Sequence, residues 1–392
     1  MIQLFKPKVH QEAKDRVLQV LDSGWLGLGP VTQEFEEAFA AYVGAKYAIA
    51  FNSATAALQV AVKLSDIRPG FKVLTTPITF VSTNHVLLQE GLIPVFCDID
   101  YFTGCISLES MKEQYEKNTD IRGIMVVHYG GYPCDLEEIY AFAKEKELVV
   151  IEDCAHAAGA QYKGRMIGSE AKFACFSFHA VKNLAVGDGG MITTDSFEVN
   201  EKAKKYRWLG IAKSTDARTK AGNYSWDYDV EYLGFKNHMN DITAALGLGQ
   251  LPHLDKDNEY RRMLCDHYET MLQPLDLAHR VKLQRHKSDR ISSRHLMVVM
   301  CDSHPMRDFL MDYLRKRGIQ TGMHYRPNYH YSMYKGFGGK GTCTMSEMFW
   351  RRAITLPLHL DMSKKDVEDV VAALEAGVLA YDKKVASMGR KG

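Results

Sequence analysis

The chain has 392 residues, long enough for a large core and two domains. Its 49 lysines and arginines nearly cancel 48 aspartates and glutamates, leaving a formal net charge of +1. That balance gives no footprint for nucleic acid and no attraction to an anionic membrane surface. No apolar run approaches the ~20 residues that a membrane-spanning helix needs. The opening residues, MIQLFKPKVHQEAKD, lack the charged-then-apolar pattern of a signal peptide. Eight cysteines are scattered singly without a CxxC pair, so reduced thiols in a cytoplasmic protein are expected.

In chain order, Val17, Val20 and Leu21 predict an amphipathic helix over 10–23, ended by Gly24. Val31, Phe35, Phe39 and Tyr42 continue at helical spacing to Gly44. A strand over 47–51, a turn at Asn52-Ser53-Ala54-Thr55 and an apolar helix over 56–64 follow. Candidate strands at 72–76, 93–96, 123–127 and 149–151 then alternate with helical stretches such as 136–146. This alternation predicts an α/β fold with a mostly parallel sheet and helices on both faces, where ligands collect at the carboxyl ends of strands. Beyond Thr194 a polar, aromatic region (206–232) leads into a helical stretch over about 241–271. From about residue 277 a smaller α+β unit is expected, with a strand near 295–300, a helix near 307–317, a last helix after Ser363 and a basic, frayed tail over 383–392.

Three strand ends carry residues that call for chemistry. Ser53-Ala54-Thr55 places backbone N–H groups and the Thr55 hydroxyl at a helix N-terminus, where an anion is stabilised, although a plain N-cap is the alternative. Asp153 lies just past the apolar strand 148–151 and suits a pairing with a protonated ring nitrogen; His156, three residues on, can reach the same ligand or simply start a helix. No second carboxylate or histidine cluster stands at metal-ligand spacing and HExxH is absent, so no metal is expected. Lys182 follows Ser177 by five residues in an apolar, glycine-flanked turn before Gly187-Asp188-Gly189-Gly190. Desolvation there makes its amine nucleophilic, whereas the alternative is a surface lysine in a hairpin loop. An anion cradle, a fixed carboxylate and a nucleophilic lysine are together what pyridoxal phosphate (PLP) requires. The string Gly336-Phe337-Gly338-Gly339-Lys340-Gly341 matches G-x-G-x-x-G, but it follows no buried strand and reads as a surface loop.

These residues resemble the DegT/DnrJ-type sugar aminotransferases, a branch of the fold-type I PLP enzymes, over nearly the whole chain. The likeness is carried by Ser23-Gly24-Trp25, Phe35-Glu36, Ser53-Ala54-Thr55-Ala56-Ala57-Leu58, Thr79-Phe80, Glu152-Asp153, Ser177-Phe178-His179, Lys182-Asn183, Gly187-Asp188-Gly189-Gly190, Leu246-Gly247-Leu248, His324-Tyr325 and Leu356-Pro357-Leu358-His359. The resemblance implies a large PLP-binding domain over 1–255 and a small C-terminal domain over 256–392. It implies Lys182 as the Schiff-base lysine, Asp153 against the pyridine nitrogen and His156 beside the ring hydroxyl. Ala54, Thr55 and Ser177 fall on the phosphate cradle and Phe80 near the residue packed over the ring. His324, Tyr325 and His179 are candidate substrate contacts. The family's Ser-Gly-Thr is Ser53-Ala54-Thr55 here, which serves if Ala54 needs no positive φ. Its Asn and Arg after Leu-Gly-Tyr are Lys236 and His238 here, so Lys236 would meet the partner subunit's phosphate as a point charge.

The implied reaction moves an amino group from L-glutamate to a nucleotide-linked 3- or 4-keto-deoxysugar, for amino-sugar, O-antigen or other cell-surface polysaccharide biosynthesis. The implied assembly is a cytoplasmic homodimer with active sites at the interface. A PLP-dependent sugar dehydratase or epimerase and a non-catalytic regulator of the same fold are the competing expectations. Lys182 argues against the dehydratases that carry histidine in its place. The polar segment 216–228 is expected to help shape the substrate pocket.

Overall fold

A computed structural model describes residues 1–211 and 228–389. Two helices, α1 (Gln11–Ser23) and α2 (Pro30–Val43), open the chain. The strands that follow are β1 (Tyr47–Phe51), β2 (Lys72–Thr75), β3 (Ile93–Phe96), β4 (Ile121–Val127), β5 (Val149–Asp153), the short pair β6 (Gln161–Tyr162) and β7 (Arg165–Met166), β8 (Ala174–Ser177) and β9 (Gly190–Thr194). Between and after them run α3 (Ala54–Leu64), α4 (Val81–Gln89), α5 (Leu108–Lys117), α6 (Leu136–Glu145) and α7 (Phe197–Tyr206). Seven strands form one sheet in the order β1-β9-β8-β5-β4-β2-β3. All are mutually parallel except β9, which is antiparallel to both neighbours. The exception has a simple cause. β9 follows β8 through a direct return over 178–189, with no crossover helix to restore the parallel direction.

Strand residues alternate between two apolar layers, as a sheet covered on both faces requires. Ile49, Phe51, Met125, Ile151, Cys175 and Ile192 pack with α3 on one side. Ala48, Ala50, Ala174, Phe176 and Met191 pack on the other with Phe35 and Phe39 of α2 and with Ala244 and Leu248 of α8 (Asp241–Gln250). Asp241, buried at the start of α8, accepts hydrogen bonds from the N–H groups of Gly29 (2.9 Å), Val31 (3.2 Å) and Thr32 (2.9 Å) and from the Thr32 hydroxyl (2.6 Å). It therefore caps α2 from a distance of some 210 positions in sequence.

Three sequence expectations change here. α1 buries Ala13 and Val20 but leaves Leu18 and Leu21 exposed, because it meets α8 through small residues; a Cβ on Gly249 would stand 2.2 Å from the Ala13 Cα. The helical stretch expected over 241–271 is broken at Leu251–His253, where Pro252 cannot donate to the helix ladder. The chain resumes as α9 (Leu254–Leu277). A three-stranded antiparallel sheet follows, in the order β10-β12-β13, from β10 (Val281–Leu283), β12 (Met297–Cys301) and β13 (Ala353–Leu356). β11 (Arg290–Ile291) instead pairs with β6. α10 (His304–Arg315), α11 (Thr344–Arg352) and α12 (Lys364–Gly389) complete this part, and Leu264, Leu272, Val299, Leu310, Leu374 and neighbours share a separate core. The tail read as frayed from 383 is helical through Gly389, since nothing before that glycine interrupts α12. The glycine-rich string after Tyr334 is a run of turns with no strand before it, as expected.

Candidate active site

The sheet register assembles the anion cradle. Gly190 of β9 pairs with Phe51 of β1 on one side and with Ser177 of β8 on the other. The turn after Phe51 and the Ser177 hydroxyl therefore meet across one glycine. A Cβ there would lie 2.4 Å from the Ser53 carbonyl oxygen and 2.6 Å from the Ala54 nitrogen, so only glycine permits this approach. Of Gly187, Gly189 and Gly190 after Lys182, Gly187 alone has a positive φ (94°), while Gly190 serves this close contact. Ser53 caps α3, its hydroxyl accepting from Ala56 N–H at 3.1 Å. The N–H groups of Ala54 and Thr55 then have no partner among the described residues and lie where the helix dipole is positive. Ala54 is the first residue of α3 and has no positive φ, so alanine in place of the family's glycine costs the turn nothing.

Asp153 ends β5, where it pairs with Val127 of β4 and Cys175 of β8, in the middle of the row of strand ends. Its carboxylate is buried and held at both oxygens. Thr83 donates to Oδ2 at 2.6 Å and Ala155 N–H donates to Oδ1 at 3.0 Å. Since Thr83 donates there, its oxygen accepts from the Thr79 hydroxyl at 2.7 Å, forming a relay behind the acid. Burial raises the Asp153 pKa; the two hydrogen bonds and the charge of Lys182 oppose it.

Lys182 sits on the return loop between β8 and β9. Its backbone N–H donates to the His179 carbonyl at 2.8 Å, and its ammonium has no hydrogen-bond or ion-pair partner among the described residues. Burial lowers its pKa from 10.5 to about 8, opposed by the charge of Asp153. The next residue is clamped. Asn183 donates to Asn258 of α9 (2.7 Å) and to the Ser293 carbonyl (2.8 Å), and its oxygen accepts from His295 Nδ1 at 3.0 Å. His295 lies against His156, with ring centroids 4.4 Å apart and planes inclined by 32°. His156 Nδ1 accepts from Gly130 N–H at 3.2 Å, which leaves the ring proton on Nε2, facing the Tyr325 hydroxyl at 3.2 Å. Burial holds His156 and His295 neutral, with pKa values well below the ordinary histidine range.

His324 and Tyr325 enter the same cleft. His324 Nδ1 bonds the Thr355 hydroxyl at 2.8 Å, and burial with the nearby Lys182 charge lowers its pKa to about 4. Phe80, at the start of α4, is 59 % exposed, its ring 6.3 Å from the Tyr325 ring. A phenyl group left open in a cleft is suited to covering a planar ligand. Two expected site residues have exposed side chains. His179 is exposed, its Nδ1 accepting from Val181 N–H at 3.4 Å. Lys236 is exposed with its ammonium 5.4 Å from the Trp208 ring centre. Apart from Tyr228, the segment 216–228 lies outside the described residues.

Sequence reasoning missed Thr83, His295, Asn258 and the buried pair Asn84 and Asn328, which bond each other at 2.8 Å. A polar run opening a helix just past an apolar strand, Ser82-Thr83-Asn84-His85, is the signal that could have found the first. One buried group among the described residues, His128, Glu152 and Cys154, has metal-ligand proximity. Both imidazole nitrogens of His128 are already used, by Glu152 at 3.0 Å and by Cys134 N–H at 3.1 Å, so the group closes as a hydrogen-bond network.

The arrangement fits PLP on its own terms. Unpaired N–H groups at a helix N-terminus can take a phosphate, an anchored carboxylate can take a ring nitrogen, Phe80 exposes a ring beside Tyr325 that can cover a planar group, and Lys182 offers an unpaired amine. Comparison with known proteins agrees. Residues 7–375 match the model of the DegT/DnrJ/EryC1/StrS aminotransferase family. The chain is 38 % identical over 382 residues to the spore coat polysaccharide biosynthesis protein SpsC of Bacillus subtilis, covering 96 % of this chain and 97 % of that one. Among solved structures, the PMP-form of the putative sugar aminotransferase Spr1654 from Streptococcus pneumoniae superposes with a TM-score of 0.89 at 28 % identity, covering 97 % of this chain and 100 % of that one. Helicobacter pylori PseC, an aminotransferase involved in the biosynthesis of pseudoaminic acid, gives 0.87 at 28 % identity, with 97 % and 99 % coverage. The chain belongs to the DegT/DnrJ/EryC1/StrS family and is a PLP-dependent sugar aminotransferase.

Proposed function

We propose that the enzyme transfers the amino group of L-glutamate to a 3- or 4-keto-deoxysugar carried on a nucleotide, in the cytoplasmic biosynthesis of a cell-surface polysaccharide. The observation that carries this is an unpaired Lys182 amine and a buried, doubly anchored Asp153, close enough for each charge to act on the other. In this reading Ala54, Thr55 and Ser177 hold the phosphate, Asp153 holds the ring nitrogen, Phe80 covers the ring, and His156 meets the ring hydroxyl through Nε2–H. The bound cofactor supplies an electron sink for the carbon that loses its proton. Lys182 Nζ would take that proton and return it to the cofactor's C4′ carbon, on the far side of the shared nitrogen; a pKa near 8 suits it to both roles. Neutral His324 and Tyr325 offer hydrogen bonds to the sugar without adding charge beside Lys182.

The role of the polysaccharide pathway is supported by likeness to SpsC, and that of a nucleotide-linked sugar by the family resemblance. The enzyme in this reading is a homodimer. Leu18, Leu21 and Leu26 lie exposed near the N-terminus, and Leu233 is the most exposed leucine in the region preceding α8. Lys236 and the exposed His179 take substrate or phosphate contacts only if that partner completes the site. Incubation with a panel of nucleotide keto-sugars and L-glutamate, read by mass, tests the reaction: an amine product supports it. Loss of water or an unchanged mass from every sugar overturns it. Light scattering tests the dimer.

A further inference from the structure

We infer that a crevice beside the Lys182 loop is a binding site for one small inorganic monoanion, of halide size, held by Arg261. Arg261 lies on α9, one turn beyond Asp257 and on the turn whose Asn258 clamps Asn183. Its side chain is only 8 % exposed, and Nη1 is fully buried without a partner. Among the described residues the guanidinium makes no hydrogen bond and no ion pair. Asp257 acts on it only at a distance, because that carboxylate bonds His10 Nε2 at 2.9 Å. An arginine stays charged at neutral pH even when burial lowers its pKa to about 10, so a buried cation here lacks its counter-charge.

The space in front of it has the sign and the size for a single ion. Lys8 and Arg261 line the crevice against one carboxylate, Asp257, while Lys6 on the same wall is paired with Asp361 at 2.7 Å and the Lys182 amine is committed to the cofactor. A second fully buried atom on its wall, His359 Nδ1, also has no partner. The cavity measures about 20 Å3, where one water-sized particle needs ~10–15 Å3. Its enclosed part is of the size of one small ion or one water. Occupancy would neutralise Arg261 and stiffen the face of α9 that holds Asn183, and so the loop carrying Lys182.

Crystals of the cofactor-loaded wild-type protein soaked in sodium bromide test this directly. A bromide anomalous peak within hydrogen-bond distance of the Arg261 guanidinium is expected; a site holding water only at saturating bromide overturns the inference. In solution, the loaded protein should melt ~2 °C or more higher in sodium bromide than in sodium gluconate of equal ionic strength, with a saturable dependence. Arg261→Met should abolish that difference. An unchanged bromide effect in the variant overturns the assignment to Arg261. If the variant does not fold, the wild-type peak decides the matter alone.

Discussion

Replacing Thr83 with valine removes one hydroxyl of nearly equal shape and tests how Asp153 is held. Thr83 is fully buried and donates to the carboxylate at 2.6 Å. A hydrogen bond to a charged acceptor is worth ~1.5–3 kcal/mol, equivalent to about one to two pKa units. Burial already places the folded Asp153 pKa above its unfolded value. The folded state therefore holds the proton more tightly, and ionisation of Asp153 costs stability. That cost is absent below the unfolded pKa, grows as pH rises towards the folded pKa, and is complete above it. Thr83→Val moves the folded pKa higher still and enlarges the cost. In urea titrations of the cofactor-free protein the variant should lose ~1.5–3 kcal/mol at about pH 8 and distinctly less at about pH 5. Thr79→Val, which removes only the outer hydroxyl of the relay, is the control and should show a smaller loss. A Thr83→Val effect below ~0.5 kcal/mol at about pH 8, or one independent of pH, would refute the reasoning.

Other consequences can be checked in the same material. Gly190→Ala drives a Cβ to 2.4 Å from the Ser53 carbonyl and should weaken PLP affinity by at least ~10-fold in a spectroscopic titration, about 1.4 kcal/mol of distorted cradle. Asn183→Ala leaves His295 Nδ1, Asn258 Oδ1 and the Ser293 carbonyl without their partner and should cost ~2–4 kcal/mol in unfolding free energy. Lys182 of the cofactor-free protein should react with an aldehyde at a rate that climbs with pH and levels off above about 8, because the neutral amine is the reacting form; a midpoint near the ordinary lysine value would contradict the burial argument. Asp241→Ala strips four hydrogen bonds from the start of α2 and should destabilise the protein by ~2–4 kcal/mol in a urea titration.

The parts of the site legible in the sequence were those written locally. Ser53-Ala54-Thr55, Asp153 and Lys182 each stand within a few residues of an apolar strand end, and alternation of strand and helix implies that such ends share one edge of a sheet. The partners that tune them are not local. Thr83 reaches Asp153 across 70 residues and His295 reaches Asn183 across 112, and no periodicity announces such pairs. The antiparallel β9 was equally hidden in pattern, since its apolar run reads like its parallel neighbours; its direction follows from the absence of a crossover helix after Ser177. The exposure of Leu18 and Leu21 was unreadable because the partner of α1 is a surface of glycine and alanine, which leaves no hydrophobic mark of its own.

The central claim is that Lys182 carries the cofactor and moves the proton. Its most direct test is a single-turnover reaction with L-glutamate. Wild-type protein and Lys182→Ala are each loaded with PLP and followed by visible absorbance and by the 2-oxoglutarate released. The wild type should lose its absorbance band and release one 2-oxoglutarate per site, while the variant should do neither on that timescale. A variant that releases 2-oxoglutarate at the wild-type rate would contradict the account.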